Sequence, residues 1–383
     1  MKFKVKGSDL SRVLKTVIKG YDSKEDNSYI AFEIDENEGK LIATSRSRAA
    51  FFKGSVPAFN IEIDEEEPRA YHLDGVKLRQ LVTILPAAPV DVFFEISDKT
   101  RSFTIKTITS KYRLPVLSDT PLAPTPKVRE YATVDANEFM NISKDLLRIV
   151  STDPSTQEHQ ISCMRYNLTE NALKALATDS YALGSVAIES SLEDLAEDKD
   201  VLIRHTEVSA LMGTFAQGET LTLVGSNEMF GYVDESGTLS LVGVINMEPL
   251  DTTPFESIVN DDNKVVVDKG ELKSAIETVA KLSPNDESLD MTLEAGNELL
   301  RISNRSGDKI DVRIIESEMN APGVASFATS VLLKALTPAS NGPLRIELGD
   351  LTDGSPGIAK IVTLHADGSD NKNVNLIATR MER

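Results

Sequence analysis

A chain of 383 residues has room for two to four domains. Apolar residues at 40% and charged residues at 26% exclude wholesale disorder. The net charge of −19, from 41 basic and 60 acidic residues, repels nucleic acid and anionic membranes on average, so any nucleic-acid contact must come from a local reversal of that field.

One cysteine, Cys163, excludes an internal disulfide and a Cys-based zinc site, and suits a reducing compartment. The opening MKFKVKGSDL lacks the apolar core of a signal peptide. No apolar run approaches the roughly 18 residues of a membrane helix. The longest candidate, Leu81 to Phe94, is broken by Pro86, Pro89 and Asp91. These features predict a cytoplasmic protein.

The predicted elements repeat three times along the chain. Each copy opens with a short β-type stretch (FKV, YATV, KVVV) and an amphipathic helix. The first helix has Val5 and Leu10 followed by Val13, Leu14 and Val17. The second has Val134 and Phe139 followed by Ile142, Ser143 and Leu146. The third has Val267 and Leu272 followed by Ala275, Ile276 and Val279. The offsets are 129 and 133 residues, and apart from Ser143 the spacing is that of a buried helical stripe. Leu41-Ile-Ala-Thr44 then recurs as Leu176-Ala-Thr178 and, more loosely, as Leu300-Arg-Ile-Ser303. A second helix follows in each copy, anchored by Leu78, Leu81 and Val82, by Val208, Leu211 and Met212, and by Leu332, Ala335 and Leu336. The six helices are predicted over 8–20, 74–85, 135–150, 204–216, 268–283 and 327–340.

Between them lie alternating stretches that predict strands: Tyr29–Ile34, Lys40–Thr44, Val92–Ile96, Ser102–Thr107, Leu221–Val224 and Arg345–Leu348. The Pro-rich segment Ser118 to Pro126 and the segment Pro249 to Asn263 read as linkers. The division is therefore 1–123, 127–257 and 261–383. Two helices and many short strands per unit predict an α+β domain, with helices packed on antiparallel sheet.

The helices concentrate positive charge. They hold twelve Lys or Arg against nine Asp or Glu, while the rest of the chain is strongly acidic. Seven of those nine acids fall in first turns, where they complement the helix dipole. Beyond the first turns the helices are mostly basic. One late position is basic in all three copies: Lys19, Arg148 and Lys281. Late basic residues also complement the dipole, but the contrast with an acidic chain points to a surface for phosphates. No base-reading element accompanies it. Tryptophan is absent and aromatics are 5%, which argues against a stacking platform for single strands. Contact should be sequence-neutral and directed at the backbone.

Other signals carry less. His72, His159, His205 and His365 have no metal-ligand spacing. Asp179-Ser180 with a distant histidine lacks a nucleophile elbow. Asp350 to Gly354 and Asp367 to Asp370 lack a full calcium-ligand series and read as turns. The acidic run Glu62 to Glu67 reads as a solvated hairpin tip. A scaffold protein built from repeated domains is the main alternative reading. A hydrolase is a weaker one, since no cluster of titratable groups supports it.

The start MKFKV, the threefold helix pattern and the segment Ser162 to Leu183, ending Ala177-Thr-Asp-Ser-Tyr-Ala-Leu183, resemble the bacterial and phage β-type sliding clamp, the DNA polymerase III beta subunit family. That resemblance implies three repeated DNA-clamp domains forming half of a six-domain ring. It implies a head-to-tail homodimer that encircles duplex DNA as a processivity factor, with no reaction catalysed and no cofactor. It implies DNA contacts from Arg12, Lys15, Lys19, Lys24, Lys77, Lys144, Arg148, Arg204, His205, Lys273 and Lys281. In the loop Asp153 to Gln160, the family's basic and tyrosine contacts are replaced by Ser155, Glu158, His159 and Gln160. The resemblance further implies a hydrophobic cleft that captures linear peptides of the replicative polymerase, clamp loader and repair proteins. The matching positions are Ile161, Thr178, Ser180, Tyr181, Ala182, Leu183, Pro249 and Phe255, with Leu376, Ile377, Ala378, Thr379, Arg380 and Met381 of the last strand. The family's Gly-His-Arg is Ser180-Tyr181-Ala182 here, so the peptide preference should differ.

Overall fold

The computed structural model describes the chain apart from residues 65–66, 86–89, 98–100, 119–121, 157–158, 170–171, 190–198, 216–217, 257–259, 261, 285–286, 295–297, 352–355 and 383, and the side chains of 97, 189 and 256. The expectations for Glu158, for part of the acidic run, for most of the Asp350 to Gly354 turn and for the boundaries at 257, 261 and 383 lie outside the described residues.

The element order repeats three times. The first copy runs β1 (Lys2–Lys6), α1 (Gly7–Val17), β2 (Tyr29–Asp35), β3 (Lys40–Arg46), β4 (Ala50–Glu62), β5 (Ala70–Leu73), α2 (Gly75–Ile84), β6 (Asp91–Ser97), β7 (Ser102–Lys106) and β8 (Lys111–Ser118). The second runs β9 (Arg129–Asp135), α3 (Ala136–Leu146), β10 (Cys163–Leu168), β11 (Ala172–Thr178), β12 (Ala182–Glu189), β13 (Lys199–Arg204), α4 (His205–Met212), β14 (Thr220–Gly225), β15 (Met229–Asp234) and β16 (Leu239–Gly243). A short helix, α5 (Thr253–Glu256), falls in the segment read as a linker. The third copy runs β17 (Asn263–Asp268), α6 (Lys269–Leu282), β18 (Ser288–Leu293), β19 (Leu299–Ser303), β20 (Lys309–Met319), β21 (Gly323–Ala328), α7 (Thr329–Leu336), β22 (Pro343–Glu347), β23 (Gly357–Thr363) and β24 (Val374–Arg380).

The chain divides into two compact units. One holds Met1–Asn137 with Thr206–Asn246; the other holds Glu138–Ser190, Ala196–His205 and Met247–Arg383. In the first unit the strands of copy one form a closed antiparallel circuit, β1-β6-β7-β8-β5-β2-β3-β4 and back to β1. In the second unit copy three repeats that circuit strand for strand, β17-β22-β23-β24 and β21-β18-β19-β20-β17, closed by a bridge between Ser326 and Met381. Copy two contributes the half-circuit β9-β14-β15-β16 to the first unit and β13-β10-β11-β12 to the second.

The predicted helical stripes are the core contacts. Leu10, Val13, Leu14 and Val17 of α1 are at most 1% exposed, and so are Leu272, Ile276 and Val279 of α6. Around α1 the first unit packs an aromatic cluster, with Phe3 stacked on Phe94 at 4.8 Å and Phe103 edge-on to Tyr71 at 5.3 Å. Ser143, the polar break in the stripe of α3, is fully buried because it accepts the Tyr166 hydroxyl at 2.9 Å. Burial pushes that phenol's pKa up, so it stays a neutral donor.

Several helices end earlier than their periodicity predicts. α2 stops at Ile84 because Leu85 precedes Pro86 and is extended. α7 stops at Leu336, two residues before Pro338. α3 stops at Leu146, and the next residues turn so that Ile149 and Val150 are buried. Arg148 therefore lies in a turn rather than on the helix, and Lys19 lies in a 3-10 turn, Ile18–Gly20. The acidic run is not wholly solvated, because Glu67 is only 12% exposed and pairs with the Met1 ammonium at 2.5 Å.

Candidate nucleic-acid and peptide interfaces

The cationic candidates are mostly exposed side chains at helix surfaces and ends. In the first unit Lys15, Lys19, Lys24 and Lys77 are exposed. Asp74 caps α2 by accepting the Lys77 amide at 3.0 Å. Arg79 of α2 donates to the Tyr21 carbonyl at 2.7 Å, which fixes the turn carrying Lys19. Arg12 is half-buried, and its guanidinium donates to Ser236 Oγ at 2.8 Å. That group is committed to the β15–β16 turn rather than presented alone.

In the second unit Lys144, Arg148 and Lys281 are exposed, while Arg204, His205 and Lys273 are half-buried. His205 Nδ1 lies 3.3 Å from the Ser162 carbonyl, and Lys273 lies 3.9 Å from Glu277. Lys269, a further base at the start of α6, does not face outward. It is 9% exposed and donates to the Ala339 and Thr337 carbonyls past the end of α7. Burial lowers its pKa. It is committed to carbonyls of the turn that follows α7.

The peptide-cleft candidates come together through one strand pair. β12 pairs antiparallel with β24, with Leu183 opposite Ile377 and Ala182 opposite Ala378, and the Thr379 amide donates to the Tyr181 carbonyl at 2.9 Å. Ala182, Leu376 and Ala378 are at most 2% exposed, and Leu183, Ile377 and Thr178 at most 7%. These six form the floor of the junction. Tyr181, Phe255 and Met381 are the exposed apolar side chains, at 63%, 45% and 40%. Thr379 and Arg380 are half-buried, and Arg380 donates to the Asp350 carbonyl at 2.8 Å. Gln160, which precedes the half-buried Ile161, donates to the Glu248 carbonyl at 2.5 Å, beside half-buried Pro249.

The turn that presents Tyr181 is tightly organised. Ser180 has φ of 77°, a conformation that favours glycine. The cost is offset locally: Asp179 Oδ1 accepts the Tyr181 and Ala182 amides at 3.0 and 2.8 Å. Thr178 Oγ1 accepts the Ser180 amide at 3.1 Å and donates to the Ala182 carbonyl at 2.8 Å. Lys334 of α7 donates to Asp179 Oδ2 at 2.5 Å. Sequence reasoning named neither Asp179 nor Lys334 as a site residue. Asp179 was visible as the acid of Ala-Thr-Asp, and its role as a turn-former follows from asparate chemistry. Lys334 carries no local signal, since 155 residues separate it from its partner. Among the described residues no group of three or more His, Cys, Asp or Glu could hold a metal ion. No described helix is long and apolar enough to cross a membrane.

Closed strand circuits, repeated in one order with paired helices, define the DNA-clamp fold. No family model matches the sequence, and no curated protein matches it. Solved structures do match. The DNA polymerase sliding clamp of Bacillus subtilis superposes with a TM-score of 0.83 over 100% of this chain and 99% of that one, at 15% identity. The beta subunit from DNA polymerase of Streptococcus pyogenes gives 0.82 at 13% identity, and the DNA polymerase III subunit beta of Pseudomonas aeruginosa 0.79 at 16%, each over 100% of both chains. At these identities the likeness is one of fold, and it extends along the whole chain.

Proposed function

We propose that this chain is one half of a DNA sliding clamp: a cytoplasmic, non-catalytic processivity factor whose head-to-tail homodimer encircles duplex DNA and tethers a replicative polymerase. The observation that carries this reading is the reuse of one strand junction. The fourth strand of copy one pairs with the eighth of copy two, as β4 with β16. The fourth strand of copy two pairs with the eighth of copy three, as β12 with β24. One eighth strand, β8, and one fourth strand, β20, are left over. A second copy of the chain can satisfy both at once, giving a closed ring of six domains divided as 1–123, 127–257 and 261–383.

Exposed apolar side chains support that closure. Ile108 and Leu117 flank or lie on β8 at 81% and 64% exposure, and Ile315 lies on β20 at 60%. Residues 111–115 of β8 pair only with β7, and residues 309–313 of β20 only with β19, so each strand keeps a short open edge beside these side chains, and open edges are otherwise an aggregation hazard.

In this reading Lys15, Lys19, Lys24, Lys77, Lys144, Arg148 and Lys281 hold the duplex through phosphates, and Arg12, Arg204, His205 and Lys273 contribute more weakly because each is half-buried. The contacts read no bases, so the ring slides, and topology rather than affinity retains it. Tyr181, Phe255 and Met381 take linear peptides of polymerase, clamp loader and repair proteins. The solved Pseudomonas aeruginosa clamp binds griselimycin, which makes that compound a first probe of this cleft.

The test combines mass and activity. Sedimentation should give a dimer of the 41.8 kDa chain at micromolar concentration. Lys19→Glu, Arg148→Glu and Lys281→Glu together should abolish clamp-dependent primer extension and leave the dimer intact. A monomer in sedimentation, or unchanged extension by the triple variant, would refute the reading.

A further inference from the structure

The solvent face of the first strand circuit carries a feature that a ring around duplex DNA does not use. Five residues stand directly opposite one another across five adjacent strands: Phe59 on β4, Lys4 on β1, Phe93 on β6, Lys106 on β7 and Lys111 on β8. At about 4.8 Å between strands the row spans about 19 Å. Phe59 and Phe93 are 45% and 40% exposed, although the chain has only 13 phenylalanines and most of them are buried. Lys4 Nζ sits 4.4 Å from the Phe93 ring centroid. No acid stands in the row. On the same face Lys2, Lys6 and Lys106 are paired with Glu62 at 3.7 Å, Asp91 at 2.5 Å and Glu95 at 2.8 Å, which leaves Lys4, Lys111 and Arg113 as the cations in excess on this face of a chain of net charge −19.

The other copies act as an internal control. The corresponding row of copy two is Thr133, Thr222, Val233 and Leu239. That of copy three includes Glu316, Val266, Arg345 and Val362, where Arg345 is held by Asp370 and Glu347. The alternation of exposed ring and lysine is particular to copy one and is not dictated by the fold.

We propose that this face binds single-stranded nucleic acid, with bases stacking on Phe59 and Phe93 and phosphates meeting Lys4 and Lys111. Rings interleaved with cations on an exposed sheet provide the two contacts an unpaired strand needs, a π face for each base and charge for the backbone. A peptide fits the same face less well. β1, β6 and β7 are paired on both sides, so they have no free amides or carbonyls to extend a sheet, and the usual route to binding an extended peptide is closed. Duplex DNA hides the base faces that the rings would meet. The sequence did not reveal this platform because its members lie on strands far apart in the chain, and overall aromatic content argued against one.

The test uses the full chain and fluorescein-labelled dT and rU oligomers of about fifteen nucleotides, in anisotropy titrations at about 50 mM salt, where phosphate contacts are strong. Phe59→Ala with Phe93→Ala should weaken binding at least tenfold, Lys4→Glu should weaken it several-fold, and Phe93→Tyr should retain it. Equal affinity for dT and rU marks general single-strand binding, and a preference of tenfold or more names the natural source. Photocrosslinking with 5-bromodeoxyuridine should label the peptides that carry Phe59 or Phe93. The Lys19, Arg148 and Lys281 triple variant should bind the oligomers as the wild type does, which separates this face from the duplex-binding reading. Should the double Phe variant unfold, the Lys4→Glu titration and the crosslinks decide. Unchanged affinity in the Phe and Lys4 variants, crosslinks confined to the helices, an abasic oligomer binding as well as dT, or an oligoglutamate peptide displacing dT from this face at equal affinity would each overturn the proposal.

Discussion

Asp179 should be the energetic centre of the turn that carries Tyr181. Its side chain is 8% exposed and accepts three hydrogen bonds, from the Tyr181 and Ala182 amides and from Lys334 Nζ. Hydrogen bonds to a charged acceptor contribute about 1.5–3 kcal/mol each. The Tyr181 amide lies on an exposed residue and can turn to water, so its bond counts for little. The Ala182 amide belongs to a residue only 2% exposed and has no such alternative. Lys334 has a side chain 36% exposed, so water replaces part of what it loses. Asp179→Ala should therefore weaken the turn by about 3 kcal/mol, and Lys334→Met by about 1 kcal/mol. Native-state amide exchange reads this locally, without assuming that a chain with two compact units unfolds in one step. Protection of the Ala182 amide should fall by about 150-fold in Asp179→Ala and by about fivefold in Lys334→Met. The double variant should resemble Asp179→Ala alone, because the lysine has no carboxylate left to serve. A loss below about threefold in Asp179→Ala, or a larger effect from Lys334→Met, would refute this account of the turn.

A Cβ added to Gly231 would lie 1.8 Å from the Ser240 carbonyl oxygen, a backbone atom of the paired strand, so Gly231→Ala should cost about 3 kcal/mol or more and lower the melting temperature sharply. Gly237→Ala meets open space and should cost only the strain of its φ of 75°, about 1–2 kcal/mol, as a urea titration would show. Arg345 holds the Asp370 carboxyl below its ordinary pKa of 3.8 through two hydrogen bonds of 2.6 Å. A carboxyl whose folded pKa is depressed contributes its stability above the unfolded value and loses it as pH falls through the folded one, so Asp370→Asn should leave an acid limb below about pH 4 less steep and should not change the slope of stability between pH 5 and 8. Tyr181→Ala should weaken peptide binding by tenfold or more without changing the melting temperature, whereas removal of Ala378 to Arg383 should do both, because Ala378 is fully buried between β12 and β23.

Much of the fold was legible because the repeat imposes the same local demand three times. The spacing of Leu10, Val13, Leu14 and Val17 predicts α1, and the matching stripe predicts α6, since burial of one helical face is a local pattern. Helix ends were less legible because tertiary packing sets them. Nothing between Leu146 and Val150 breaks a helix by propensity, yet the chain turns there to bury Ile149 beside Gly184, whose missing Cβ leaves the room. The resemblance to sliding clamps carried the cleft positions, and six of them form a buried floor rather than a lining. Partners distant in sequence, such as Lys334 for Asp179 and Ser236 for Arg12, leave no trace in periodicity or composition.

Exposed apolar side chains offer an independent check on these assignments, because a soluble surface gains nothing from displaying them together. Among the described residues twelve large hydrophobics are exposed. Five, Ile108, Leu117, Leu282, Leu299 and Ile315, belong to β8, to β20 and to the segments leading into or neighbouring them. Three, Tyr181, Phe255 and Met381, are candidates for the peptide cleft, and two, Phe59 and Phe93, form the row on the first circuit. Nothing in the structure explains the remaining two, Val76 and Ile84 of α2. The other ten therefore fall into three groups by place in the fold. Their grouping makes the proposals separable: a charge placed at Leu117 or Ile315 should yield monomers that still bind a cleft peptide, and one placed at Phe93 should yield dimers that still support primer extension. A Leu117→Lys chain that stays dimeric would show that this edge is exposed for some reason other than ring closure.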